Sequence, residues 1–160
     1  MYTTFTTLGL SLALSLSLGC AHQAATASAA SPVIVPLEHR FTNAYLVIGE
    51  RVVVVDTGNP GNDRRILAAL AEAGRSPADV SLVVVTHGHA DHAGAARALH
   101  ERLGAPVAMG AADRPMAARG HNDELHPTGG PGRRLLRFIR PDYPALAPDV
   151  LVDAPVDLRP

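Results

Sequence analysis

The sequence has no lysine and no tryptophan, a single cysteine and few aromatic residues. Cys20, the only cysteine, cannot form a disulfide within the chain. Aromatic residues make up 4 % of the 160 positions, which is too few for a surface on which nucleic-acid bases would stack. All 14 basic residues are arginine and the formal net charge is −1, so we expect no nucleic-acid partner. With abundant alanine, glycine and proline, this arginine usage is typical of a GC-rich genome.

The first 20 residues predict export. A run of small and apolar residues, "LGLSLALSLSLG", precedes Cys20 and is too short to span a bilayer, but it is typical of a signal-peptide core. The stretch "SLGC" resembles a bacterial lipoprotein signal, in which Cys20 becomes the lipidated N-terminus. It departs from that pattern because Ser17 stands where leucine is usual and the preceding region has no arginine or lysine.

Two alternatives to a lipoprotein signal stay open. The segment is either a plain secretory signal cut after an alanine of "AATASAA" or an ordinary buried segment. In the exported cases, residues 1–20 are a signal peptide and the small, polar residues 21–31 are a flexible tether. We expect a periplasmic protein that reaches the membrane through a lipid on Cys20.

From Pro32 onward, short apolar runs alternate with helical patterns. The runs that predict strands are 32–37, 44–48, 52–55, 82–85, 105–110 and 149–155. Four consecutive valines at 52–55 predict a strand with both faces buried. Helices are predicted at 64–74 and 93–104, each ending in glycine, with a brief helix within 111–120. Residues 119–147 predict a proline-rich surface loop with a short helix at 135–139. This alternation indicates an α/β fold.

The most informative stretch is "VVVTHGHADHAG", which ends the apolar run at 82–85. His87 and His89 are two apart, so in an extended segment both imidazoles face one side and can hold one ion. Asp91 and His92 are adjacent and must diverge, so one of them could serve a second ion. Imidazole nitrogen and carboxylate oxygen are suitable ligands for zinc or iron. The alternative is a histidine-rich capping turn satisfied by hydrogen bonds.

The stretch "THGHADHAG" resembles the signature of the metallo-β-lactamase fold superfamily. An upstream "VVVVDTG", a helix, a buried strand into the motif and an alanine- and glycine-rich helix are similar to the N-terminal half of that family. The resemblance is good over residues 33–110 and looser over 111–160. It implies a metallo-β-lactamase-like αββα sandwich, of which residues 32–160 form mainly the N-terminal αβ half.

The resemblance also implies roles for individual residues. His87 and His89 would bind a first metal ion, and Asp91 and His92 a second. Asp56, in "DTG", would orient a metal ligand, although on sequence alone it could equally be a turn residue at a strand end. The Asp91–His92 pair is more like glyoxalase II, lactonases and other dizinc hydrolases than the β-lactamase subclass that has arginine at the position of His92.

Other residues of the family's site are not visible in the sequence. The resemblance implies a third histidine in a "HTPGHT"-like turn, a bridging aspartate and a last histidine, so we expect a domain truncated at its C-terminus or a degenerate copy. The histidines after the motif are His100, predicted at the surface, and His121 and His126 in the proline-rich loop. The latter two are interpreted either as solvated or as a substrate lid or substitute ligand.

The function implied by the resemblance is metal-dependent hydrolysis of a small molecule. Two zinc ions would activate a shared water for attack on an ester, thioester, lactone or amide, with Asp91 orienting the nucleophile. Two alternatives remain: an iron-dependent oxidoreductase of the same fold, and a metal-binding remnant without activity. Because ligands are incomplete, activity of these 160 residues alone is doubtful.

Overall fold

The computed structural model describes residues 31–39, 42–123, 126–139 and 141–155. The predicted signal peptide, Cys20 and the predicted tether, apart from its last residue, lie outside these ranges. Across the described ranges, no helix has both the length and the apolar character needed to cross a membrane.

Six strands form one mixed sheet in which each strand pairs with its neighbours in the sequence. The first three strands are antiparallel, and the third to sixth are parallel. The strands are β1 (Val33–Glu38), β2 (Asn43–Ile48), β3 (Val52–Val55), β4 (Val80–Val85), β5 (Val107–Gly110) and β6 (Val150–Val152). The parallel order places the carboxyl ends of β3, β4, β5 and β6 at one edge of the sheet.

Helices connect the parallel strands. They are α1 (Asp63–Glu72), α2 (Ala90–Ala93), α3 (Ala96–Leu103), α4 (Arg114–Arg119) and α5 (Gly130–Leu135), with 3₁₀ turns at Pro77–Asp79, Ala111–Asp113 and Leu136–Phe138. Helix α1 joins β3 to β4, while α2 and α3 join β4 to β5. The structure confirms the predicted α/β class.

The core lies on one face of the sheet. Alternate strand residues such as Leu46, Val54 and Val83 are fully buried and form one cluster with Ile66 of α1 and Leu99 of α3. These strand residues are paired across the sheet, so their side chains share a face. Burial against α1 and α3 fixes the register of β4, because a slip of one residue would move every valine to the opposite face.

Four local expectations differ from the structure. In the valine strand, Val52 and Val54 are buried while Val53 and Val55 are only half-buried, so the prediction of two buried faces is wrong. The helix predicted at 93–104 is instead divided into α2 and α3. Gly94 lies at this break, where a Cβ atom would come within 2.7 Å of the Pro60 nitrogen. The third difference is that β4 starts at Val80 rather than residue 82.

The fourth difference is in the proline-rich loop, where the helix forms at Gly130–Leu135 instead of 135–139. Pro131 lies in the first turn of this helix, where its missing N–H has no partner to lose. The apolar residues that suggested the later helix instead form the last turn of α5 and the 3₁₀ turn that follows it.

Candidate metal centre

The histidine-rich motif follows β4 at the carboxyl edge of the sheet. β4 ends at Val85, the chain continues as a short loop, and α2 begins at Ala90. Ligands bind at this edge in open α/β sheets because loops and helix N-termini converge there. The loop and α2 thus place three histidines and one aspartate within a few residues of the strand end.

His87, Asp91 and His92 come together in space. One potential ligand atom from each of these side chains lies within 4.8 Å of the others, and all three residues are half-buried. The Nε2 atom of His92 is 3.7 Å from Oδ2 of Asp91. The ring centroids of His87 and His92 are 4.0 Å apart. Among the residues that the structure describes, this is the group of histidine and carboxylate side chains arranged closely enough to share a metal ion.

His89 lies beside this group. Its ring centroid is 4.9 Å from that of His87, and the two rings meet edge to face at 83°. The grouping therefore differs from the simple division of the motif into a His87–His89 pair and an Asp91–His92 pair. The assignment of His89 to a first ion stays a prediction.

Asp56 contacts one histidine of the group through its buried side chain. Asp56 is 4 % exposed, and its Oδ2 atom lies 2.8 Å from Nδ1 of His92. The backbone N–H and the hydroxyl of Thr86 donate to Oδ1 of Asp56 at 2.8 and 2.9 Å. With the Nδ1 proton donated to the carboxylate, Nε2 of His92 is left to accept a metal ion.

The backbone at Asp56 is unusual for a residue with a side chain. Its φ angle is +58°, in the left-handed region that non-glycine residues seldom adopt. The following residue, Thr57, is fully buried, and its hydroxyl donates to the His92 carbonyl oxygen at 2.7 Å. The Thr57 N–H donates to the same oxygen at 2.8 Å. The loop after β3 therefore holds His92 by both its ring and its backbone, which offsets the cost of the strained φ angle.

The two imidazoles of the group have opposite pKa shifts. The hydrogen bond to Asp56 raises the pKa of His92 above its ordinary value. Burial, with a smaller contribution from neighbouring His92 and His89, lowers the pKa of His87. His87 is accordingly neutral near pH 7, which is the protonation state that a metal ligand requires.

The remaining histidines of the described chain lie outside this group. His121 is exposed, and its Nδ1 atom is 2.7 Å from Oδ1 of Asp142, while His126 is exposed. His100, predicted at the surface, has a side chain that is 39 % exposed. It is half-buried at the end of α3, with Nδ1 2.9 Å from the Ala105 carbonyl oxygen. This contact joins α3 to the start of the segment that leads into β5.

The donor set fits zinc. Two imidazoles and one carboxylate are ordinary zinc ligands, and three protein ligands leave the open fourth position that is typical of catalytic rather than structural zinc. Asp56 provides the carboxylate partner that commonly orients a ligating histidine. His87, Asp91 and His92 would hold the ion.

Fold and site together define an α/β protein with a histidine–aspartate cluster at the carboxyl edge of its sheet, arranged so that it could hold a metal ion. The family model described as "Metallo-beta-lactamase superfamily" matches residues 37–157. The chain belongs to the metallo-beta-lactamase superfamily, as the motif predicted.

Curated relatives match a short part of the chain. "Metallo-beta-lactamase domain-containing protein 1" of Homo sapiens is 55 % identical over 42 residues, which are 26 % of this chain and 16 % of the relative. The Xenopus laevis protein of the same name is 45 % identical over 49 residues, covering 31 % and 21 %. The chain therefore spans a minor part of these relatives.

Solved structures share the fold over a larger part. The metallo-beta-lactamase of Cronobacter sakazakii with the HARLDQ motif superposes with a TM-score of 0.61 at 19 % identity, over 77 % of this chain and 46 % of that one. The subclass B3 enzyme BJP-1 of Bradyrhizobium japonicum gives a TM-score of 0.60 at 23 % identity, over 77 % and 45 %. At this identity the likeness establishes the fold. The chain spans less than half of each enzyme.

The Asp56–His92 contact gives a first prediction. Asp56→Asn should lower the pKa of His92, because the amide no longer stabilises the imidazolium, so the ring loses its proton at lower pH. NMR titration of histidine-labelled, metal-free protein measures this directly. The same variant should weaken zinc binding roughly 10- to 100-fold.

Glu101→Gln is the matched control, since it removes one negative charge from the exposed side of α3. It should leave the His92 titration unchanged. An unaltered His92 pKa in Asp56→Asn would contradict the assigned role of Asp56.

Proposed function

We propose that the protein is a zinc-dependent hydrolase of small molecules. The observation that carries this proposal is the convergence of His87, Asp91 and His92 within 4.8 Å, with His92 held by Asp56. Such a set, with a position left open for water or substrate, is typical of hydrolytic rather than structural zinc.

Each side chain has a separate task in this proposal. When bound, zinc supplies Lewis-acid chemistry that activates water and polarises a carbonyl group. His87 offers a neutral nitrogen because burial lowers its pKa. Asp91 has the more exposed side chain of the Asp91–His92 pair, at 40 % against 20 %, so it can both hold zinc and orient the attacking water. Asp56 fixes the ring of His92.

The bond attacked is proposed to be an ester, thioester, lactone or amide. All four present a carbonyl carbon to the nucleophile and an oxygen that a Lewis acid can polarise. The group of three donors suits one zinc ion with an open position, and the two-zinc form implied by the motif needs donors beyond it. Metal stoichiometry therefore distinguishes a one-zinc from a two-zinc centre.

A second prediction tests this function. Purified protein is stripped with a chelator, reloaded with zinc, and assayed on an aryl ester, a thioester, a lactone and a β-lactam, with bound metal measured by mass spectrometry. His87→Ala and Asp91→Asn should each weaken zinc binding by more than the roughly 10- to 100-fold expected when a residue that only supports a metal ligand is replaced. Each variant should also lose all turnover. His126→Ala removes an exposed imidazole outside the group and should behave as the parent.

Different results point to different functions. Iron in the purified protein with oxygen or sulfur chemistry would favour the oxidoreductase. Bound zinc without turnover on any of the four substrates would favour a metal-binding remnant. Absence of metal binding in the parent chain would contradict the proposal.

We further propose that the protein is exported and anchored through Cys20. The apolar run before this cysteine and the small, polar residues after it support a lipoprotein signal followed by a tether. A lipid on Cys20 would hold the catalytic domain at a periplasmic membrane surface.

A third prediction follows from this anchor. In a bacterial host, the parent chain should incorporate labelled fatty acid and sediment with membranes, whereas Cys20→Ser should do neither. Ser17→Leu, which restores the usual residue of the signal, is the control and should be labelled at least as well. An unlabelled, soluble periplasmic parent would favour the plain secretory signal.

A further inference from the structure

We call residues 86–90, from the end of β4 to the first residue of α2, the metal-binding loop. This loop is held by hydrogen bonds from a distant part of the chain. Between the two ligand candidates His87 and His89, Gly88 has both of its backbone polar groups engaged. Its N–H donates to Oδ1 of Asp113 at 3.2 Å, and its carbonyl oxygen accepts from the hydroxyl of Tyr143. Helix α4 also packs closely here, since a Cβ at Gly88 would come within 3.3 Å of Met116.

A third contact holds the start of α2. The N–H of Ala90 donates to Oδ1 of Asn122 at 2.8 Å, and Asn122 is 5 % exposed. The first N–H groups of a helix have no partner within the helix, and His89, at the N-cap of α2, provides no side-chain cap. Asn122 therefore caps α2, the helix that carries Asp91 and His92, from a distant part of the chain.

Asn122 and Tyr143 are presented by one small antiparallel ribbon. His121 and Asp142 form a β-bridge, and their side chains pair at 2.7 Å. The Asn122 N–H donates to the Pro141 carbonyl oxygen at 2.8 Å, and the Tyr143 N–H donates to the Gly120 carbonyl oxygen at 2.9 Å. We define residues 120–122 and 141–143 as the ribbon.

The ribbon has the features of a rigid support. Tyr143 is 7 % exposed, and burial raises the pKa of its hydroxyl, so this group stays protonated and able to donate. Gly120 adopts a positive φ of 65°, and a Cβ there would overlap the Tyr143 carbonyl oxygen, so the two sides of the ribbon approach as closely as only glycine permits. His121 is thus part of the ribbon, and the adjacent Asn122 accepts a hydrogen bond from the Ala90 N–H of the metal-binding loop.

We propose that Asn122 and Tyr143 are positioning residues that set the backbone of the metal-binding loop for zinc, so that the proline-rich segment tunes metal affinity without supplying a ligand. This inference rests on the proposed function, because it assumes that the loop binds zinc. It assigns a role to residues that lie 32 and 55 positions from their contacts in the chain.

The fourth prediction tests this role by zinc affinity, measured in the full chain by competition with a chromogenic chelator. Asn122→Ala and Tyr143→Phe should each weaken zinc binding roughly 10- to 100-fold, the range observed when outer partners of metal ligands are removed. Both should also change the visible absorption of the cobalt-substituted protein and speed amide hydrogen exchange at Gly88 or Ala90. Asn122→Asp keeps an oxygen acceptor and should restore affinity.

Matched controls are Asn43→Ala, at the exposed start of β2, and Tyr45→Phe, on the half-exposed face of the same strand. Both should bind zinc as the parent does. If Asn122→Ala does not fold, Tyr143→Phe carries the test, since it removes one oxygen atom.

The outcomes separate the two proposals. If the parent binds zinc and both variants match it within about twofold, with an unchanged cobalt spectrum, the positioning role is overturned while the proposed function stands. A parent chain that binds no zinc would contradict the proposed function, and the positioning role with it.

Discussion

The buried carboxylate of Asp56 makes the contacts on which the proposed metal centre depends. It lies where β3 ends, accepts two hydrogen bonds from Thr86 at the end of β4, and contacts the ring of His92 in α2. The parallel pairing of β3 with β4 brings these strand ends to one edge, so the contact follows from the topology of the sheet. A charged group with so little exposure is stable only when its oxygens are fully engaged, and here each oxygen has a partner.

The Asp56 carboxylate holds one side of the metal-binding loop, and the ribbon of residues 120–122 and 141–143 holds the other. Thr57 and Asp56 hold His92, whereas Asn122 and Tyr143 hold the backbone around His87 and His89. The stretch between β4 and α2 is short and contains Gly88, whose backbone is less restricted than that of any other residue type. Its geometry is therefore imposed by contacts from two separate parts of the chain, which is how a site can be arranged before its ligand arrives.

Much of the fold could be predicted from the sequence because its patterns are local. The valine runs of β3 and β4, the glycine that ends α3 and the spacing of the HGHADH motif each depend on neighbouring residues. The break at Gly94 could not be predicted from neighbouring residues, and Gly94 packs closely against Pro60, which is remote in the sequence. Asn122 and Tyr143 escaped prediction for the same reason: a lone asparagine and a lone tyrosine in a proline-rich loop have no pattern that indicates which distant backbone group they will meet. The family resemblance implied that Asp56 would orient a metal ligand, but only the structure shows that this ligand candidate is His92.

The measurement that tests the central claim most directly is anomalous diffraction at the zinc edge from crystals grown with zinc. The account predicts a peak about 2.0–2.2 Å from imidazole nitrogens of His87 and His92 and from a carboxylate oxygen of Asp91. It also predicts that Nδ1 of His92 keeps its contact with Asp56, so that Nε2 faces the ion. A peak at another histidine, such as the exposed His121, with none at the loop after β4, would contradict the account.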